Sequence, residues 1–428
     1  MKFINIVQEA FKRKPAQEDR DKDENKGGPV EKRKPWAIIR QVLWVIAIAL
    51  SVLFAVLVFL LVAGTILFAP LANNFAMISY TVWPGLGLQL VVLSLLATVV
   101  LGYMAWRRRR VLSIIMASVA VVAAVGSAGI NMHQLSFIKQ HGGSVNTLSA
   151  LFPTPDPRER TALEEYSAPN GKTYPIAVFA PKKSTEPAPI IMYVHGGGFS
   201  GGSFEDLAAD DHYFAQQGYL VFDVEYPLWT PSEPTWKTAP AALSCALAWV
   251  GENSSRWNGD PTKITLAGGS AGGNLATLVA YAAAAGKAPA CADSVPVPAA
   301  VAVEYPAVDP IKLVTTATNE LEGFIGGPLF DHPDRVAAIS PETYFSSKTP
   351  PTMLLQPAAD IVVPPKSVSD FAKRAQAAGI DVTMIDYPYG NHTFDSSIPD
   401  SIANQAWRSF LLNFLKEKNL APGISAGS

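Results

Sequence analysis

The sequence predicts three transmembrane α-helices followed by an α/β domain, a mostly parallel sheet covered by helices on both faces. Three observations carry this reading. Long uncharged apolar runs fill much of residues 42–130. Charge crowds the first forty positions and is nearly absent from the next ninety. From about Gly171, short apolar stretches alternate with helical patterns. Apolar residues make up 49% and charged residues 16% of the 428 positions, a balance that leans towards membrane proteins. A net charge of −2 gives no reason to expect a nucleic acid partner.

Residues 1–35 are polar and highly charged, and Lys14 to Lys34 reads as a disordered cytoplasmic tail ending in Lys32-Arg33-Lys34. Val42 to Phe68 then runs uncharged for about 27 residues, enough to span a ~30 Å hydrocarbon core with tilt. A cleaved signal peptide would have a shorter apolar region nearer the start. Two further apolar runs, about 86–106 and 111–130, flank Arg107-Arg108-Arg109-Arg110, so region 36–131 reads as three spans, the last two a helical hairpin. The loop from Ala69 to Gly85 has no basic residue. The positive-inside rule therefore puts the tail and the arginine turn in the cytoplasm, and everything after Asn131 on the outer side of the cell membrane. Residues 132–170 read as a linker, with Gly142-Gly143 and Pro153, Pro155 and Pro157. It tethers a domain at 171–418, after which 419–428 form a flexible tail.

Strands are predicted at Tyr174–Phe179, Ile190–Val194, Leu220–Val224, Ile264–Ala267, Ala300–Tyr305, Met353–Gln356 and Val382–Tyr387. Helical patterns lie between them at Asp206–Gln217, Pro240–Asn253, Asn274–Ala285 and Val368–Ala378, and after them at Ile402–Glu417. Cys245 and Cys291 lie in separate predicted helical regions without metal-type spacing. They read as small buried hydrophobes, with a disulfide as the alternative outside the cytoplasm.

The stretch Lys263-Ile264-Thr265-Leu266-Ala267-Gly268-Gly269-Ser270-Ala271-Gly272 carries chemistry. An apolar, β-branched run ends in Gly-x-Ser-x-Gly and an alanine-rich helix begins, the strand–turn–helix setting of a nucleophile elbow. A serine nucleophile needs a base, a carboxylate to orient that base, and donors for the oxyanion. Donors are expected from Gly197 and Gly198 in His195-Gly196-Gly197-Gly198-Phe199, and from Ala271 N–H, the residue after the serine. His195 precedes the nucleophile and is expected to hold its loop. The base is His392, beyond the last predicted strand and last in chain order. Asp360, just past the strand at Met353–Gln356, is the expected acid; Asp386 inside the last strand and Asp395 compete with it. Asn391-His392-Thr393 and Asn253-Ser254-Ser255 match glycosylation sequons, but a glycan on Asn391 would block the base.

Together these residues resemble the α/β-hydrolase superfamily, specifically bacterial carboxylesterases close to hormone-sensitive lipase and to feruloyl-type esterases. The likeness runs through His195-Gly196-Gly197-Gly198-Phe199, Asp260-Pro261, Gly268-Gly269-Ser270-Ala271-Gly272-Gly273-Asn274, Asp360-Ile361-Val362-Val363-Pro364 and Tyr387-Pro388 with Gly390-Asn391-His392, in the family's order. It covers about residues 171–418. It implies the α/β-hydrolase fold, hydrolysis of small-molecule or lipid acyl esters, and neither metal nor organic cofactor. Two departures stand out. No arginine follows Tyr226, where family members usually carry one, and the N-terminal segment that often caps the site is replaced by the membrane spans, which would make the lipid bilayer a partner. A short lid is expected at Phe324 to Asp334. An acyltransferase or deacylase of envelope lipids or glycans would use the same residues with another acceptor. A prolyl-oligopeptidase-type peptidase lacks room for its propeller, and a non-catalytic scaffold would not need all three residue types.

Overall fold

The computed structural model describes residues 35–67, 74–154, 157–182, 186–289, 291, 294–313, 317–396 and 398–423. The charged tail before Pro35 and the last five residues lie outside the described residues, so the expectations for them are not addressed. Three helices come first: α1 (Pro35–Leu67), α2 (Asn74–Arg108) and α3 (Val111–Gln140). Each is long and apolar enough to cross a membrane by length and composition. α2 begins well before the expected start near residue 86 and continues through Pro84. A proline removes one backbone bond but does not by itself stop a long apolar helix.

The stretch read as a linker is built into the fold. α3 runs on past Ile130 to Gln140, and its Ile138 is buried in the core of the domain that follows. A short helix α4 (Thr147–Leu151) is capped by Asn146, whose side chain accepts from the Leu148 and Ser149 N–H groups. Gln89 of α2 donates to the carbonyls of Ala150 and Leu151 at 2.9 and 3.0 Å. These capping and side-chain bonds satisfy a backbone that composition alone would leave to water.

Eight strands form one sheet: β1 (Ala162–Ser167), β2 (Thr173–Phe179), β3 (Ala188–Val194), β4 (Leu220–Val224), β5 (Gly259–Gly269), β6 (Ala300–Glu304), β7 (Thr352–Pro357) and β8 (Val382–Tyr387). Their order is β1-β2-β4-β3-β5-β6-β7-β8. β1 and β2 pair antiparallel with each other and β2 with β4; the other pairs are parallel. β1 was not expected, since its pattern of alternately exposed residues includes two glutamates.

Both faces are covered. Side chains alternate along each strand, so Ile190, Met192 and Val194 join one core and Ile191 and Tyr193 the other. The first core takes α6 (Thr238–Asn253), α7 (Ser270–Ala284) and α10 (Pro365–Ala377); the second takes α5 (Ala208–Gln216) and α11 (Ile402–Glu417). α8 (Thr318–Ile325) and α9 (Pro333–Ala338) sit in the excursion between β6 and β7. Cys245 and Cys291 form a disulfide, correcting the preference for buried thiols; Cys291 lies in a loop after α7, not in a helix.

Candidate active site

The parallel strands end along one rim, and a strained turn lies there. β5 stops at Gly269 and α7 starts at Ser270, which has φ 54° in the left-handed region that a non-glycine residue rarely adopts. The flanking glycines are required by close approach. A Cβ on Gly268 would lie 2.6 Å from the Val194 carbonyl oxygen, and one on Gly272 would lie 2.1 Å from that same oxygen.

The loop after β8 brings His392 to Ser270, with Nε2 3.0 Å from Oγ. Its Nδ1 lies 2.8 Å from Oδ2 of Asp360, in the turn that follows β7. Asp360 is buried but satisfied: Oδ1 accepts the Val362 and Val363 N–H groups, each at 2.8 Å, and Oδ2 also accepts from Gln356 Nε2 at 3.2 Å. A carboxylate acceptor on Nδ1 sets the tautomer that leaves Nε2 free to accept the serine proton. The rival carboxylates are elsewhere. Asp386 points to solvent from β8. Asp395 is buried beside Glu304 and Tyr305.

That buried group is one the sequence reading missed. Glu304, at the end of β6, accepts the Tyr193 hydroxyl at 2.8 Å, and burial pushes the carboxyl groups of Glu304 and Asp395 up. Tyr305 stacks at a tilt beneath His392, ring centroids 4.7 Å apart. An acidic residue closing an otherwise apolar strand was the available signal.

The glycine loop follows β3. Gly197 has φ 114°, and a Cβ there would meet the Gly201 carbonyl oxygen at 2.1 Å, so this turn accepts only glycine. Gly197 and Gly198 line the cleft with Ser270 and Ala271. Ala271 is in the first turn of α7, where backbone N–H groups have no intrahelical acceptor. His195 holds this loop, as expected: Nδ1 meets the Gly196 carbonyl at 2.8 Å and Nε2 meets Glu225 Oε1 at 2.9 Å. Its ring stacks on Tyr226, whose hydroxyl donates to the His195 carbonyl. Where the family resemblance leads one to expect an arginine, a histidine–glutamate–tyrosine set ties the two loops.

A cleft of about 740 Å³ opens over Ser270. Leu207, Leu313, Leu321, Val362 and Val363 supply apolar wall, and Asp206 and Glu320 are exposed residues of its lining. The segment expected as a lid does not cover it. Phe324 is fully buried and stacked on Phe199 at 4.1 Å, and Leu329 is buried too, so these two side chains belong to the core while Leu313, Ala317, Glu320 and Leu321 line the cleft.

A family model described as BD-FAE matches residues 176–374. Carboxylesterase NlhH of Mycobacterium tuberculosis is 38% identical over 114 residues, 26% of this chain and 34% of that protein. Esterase LipQ of the same organism is 28% identical over 218 residues, 49% of this chain and 51% of its own length. The chain thus spans between a third and about half the length of these curated relatives. Among solved structures, the apo form of Thermogutta terrifontis esterase 2 superposes with a TM-score of 0.54 at 21% identity, covering 63% of this chain and 98% of that one. The domain after the three helices has the α/β-hydrolase fold.

Proposed function

We propose that this protein is a membrane-anchored serine carboxylesterase whose catalytic domain lies on the outer side of the cell membrane. The observation that carries this reading is the unbroken relay from Ser270 Oγ through His392 to Asp360, at 3.0 and 2.8 Å, at the floor of a largely apolar cleft. Ser270 attacks the ester carbonyl carbon as its proton passes to His392 Nε2, and Asp360 stabilises the imidazolium. The oxyanion is met by the N–H groups of Gly197, Gly198 and Ala271; one such donor is typically worth about 10²–10³ in rate. When the C–O bond to the alcohol breaks, His392 returns the proton to the leaving oxygen. Water then attacks the acyl-enzyme by the same route in reverse, freeing the acid and Ser270.

The anchor rests on the three long apolar helices, and the sidedness on the arginine turn between α2 and α3. The Cys245–Cys291 disulfide agrees with an oxidising, outer compartment. The similarity to named esterases supports the reaction type.

The test is hydrolysis of p-nitrophenyl esters of increasing acyl length by the full chain in detergent, with Ser270→Ala beside it and a fluorophosphonate probe on both. Turnover and labelling that vanish together in Ser270→Ala are expected. Undiminished turnover in that variant would overturn the reading. Labelling without turnover would redirect it to acyl transfer onto another acceptor.

A further inference from the structure

The loop that carries His392 has two sides. Towards the cleft it presents His392, Thr393 and Ser396. Its other side rests on the membrane helices. Tyr389 packs against the apolar cluster of Val58, Val62, Trp83, Ala123 and Ile130, drawn from all three helices. Its ring lies nearly parallel to Tyr80, centroids 6.5 Å apart, and meets His133 edge-on at 5.4 Å. The neighbouring Pro388 carbonyl accepts from Gln134 Nε2 at 3.4 Å. Asn391 is the junction. Its Oδ1 accepts the His392 N–H at 2.8 Å and the Ile361 N–H at 3.2 Å, tying the base loop to the turn of Asp360, and its Nδ2 donates to Thr81 Oγ1 of α2 at 3.3 Å. With only 8% of its surface exposed, Asn391 serves this joint rather than a glycan.

Helix length explains how membrane segments reach a catalytic loop. The 35 residues of α2 make a rod of about 52 Å, against a hydrocarbon core of ~30 Å. Counting about 20 residues back from Arg108 leaves the part before Leu88 beyond the core, and the same count along α3 leaves the part after Ile130. Tyr80, Thr81, His133 and Gln134 all belong to these overhanging ends.

We propose that the outer ends of α2 and α3 form a seat that positions the catalytic histidine, with Thr81 acting through Asn391, and Tyr80 and His133 acting through Tyr389. This rests on the serine-hydrolase reading above and adds to it a role for the helices beyond anchoring. The seat holds the loop from one side while the Asp360 turn holds it from the other, and His392 is fixed between them. A displacement of about 1 Å in such a group can cost about 10² in rate.

The experiment uses the full chain in lipid nanodiscs. Thr81→Val removes the acceptor of Asn391 at constant shape, and Tyr389→Ala removes the ring from the seat; Thr81→Ser and Tyr389→Phe restore each feature. Thr81→Val is expected to lower kcat about three- to tenfold, the value of one hydrogen bond, and Tyr389→Ala about ten- to a hundredfold. KM and the melting temperature stay at wild-type values, and both conservative variants recover kcat. The groups facing His392 are Ser270, Asp360 and Tyr305. None of these three is altered by the variants, so a fall in kcat at constant KM reports the position of His392. Wild-type kcat in both, or losses that follow the melting temperature and are not rescued, would overturn the inference alone, because wild-type turnover and Ser270 labelling would still stand. A wild type that neither turns over esters nor labels at Ser270 overturns this inference together with the reading beneath it.

Discussion

In the α2–α3 hairpin many of the side chains turned inward are small or polar: Ser79, Ser94, Ala97, Ala120, Ala123, Ala124 and Ser127 are buried beside a few large ones such as Trp83, Leu101 and Ile130, whereas Val99, Leu112 and Val125 each leave about two-thirds of their surface exposed (69%, 66% and 67%). The sheet has the reverse order. Ile191, Leu220, Phe222, Val301 and Leu354 are fully enclosed, and the exposed positions of β1 are mostly polar. On the membrane-anchored reading proposed above, the difference follows from the surroundings of each region. In water, burying large apolar side chains is the dominant stabilising term. Between helices in lipid the tails are as apolar as leucine, so close backbone approach and short polar bonds hold the bundle instead, as between Trp83 Nε1 and Thr65 Oγ1 at 2.6 Å. Gly126, whose Cβ would sit 2.4 Å from Val62 Cγ1, is such an approach.

The largest effect with which to break this comparison lies at the rim of the sheet, where function depends on individual atoms. Ser270→Ala is expected to remove at least about 10⁴ of kcat for ester hydrolysis without changing secondary structure, measured by steady-state assay and circular dichroism. Asp360→Asn keeps the shape but offers a donor where His392 needs an acceptor, and should cost about 10³–10⁴ in kcat.

Stability sharpens the contrast further. Leu266→Ala, in the buried centre of β5, should cost about 2–5 kcal/mol in denaturant unfolding. Asp211 and Asp223 add a pH dependence. Both are enclosed close to one another, and burial pushes both carboxyls well above the ordinary range. A raised folded-state pKa means that the native state holds protons the unfolded chain releases. The stabilising contribution is complete below about pH 4 and is lost as pH rises towards the folded-state values. Asp223→Asn should therefore raise the melting temperature relative to wild type increasingly towards alkaline pH. A difference that grows instead on acidification would refute this account. The smallest effect is expected on the exposed apolar face of α2, where on the membrane-anchored reading Val99→Ala should change stability by no more than about 0.5 kcal/mol, because lipid would replace the lost contacts.

Much of this was legible in sequence for a simple reason: the relevant signals are local. A span needs an uninterrupted apolar run, a buried strand needs alternation or a short apolar block, and a nucleophile elbow needs glycines within two residues of its serine. Hence the three long apolar helices and seven of the eight strands were named from the chain alone, and the same local patterns singled out Ser270, His392 and Asp360, whose side chains the fold brings together, with Gly197, Gly198 and Ala271 beside them as candidates. What required tertiary structure depends on residues far apart in sequence. The Cys245–Cys291 bond joins positions 46 apart. Phe324, at the end of α8, became core because Phe199 lies against it, and Glu225 meets His195 across two strand ends. The supposed linker is fixed by Gln89, Asn146 and Ile138. The seat under His392 brings Thr81 to a residue 310 positions away. No pattern along the chain encodes such a meeting, because only the packing of complete elements decides which ends touch.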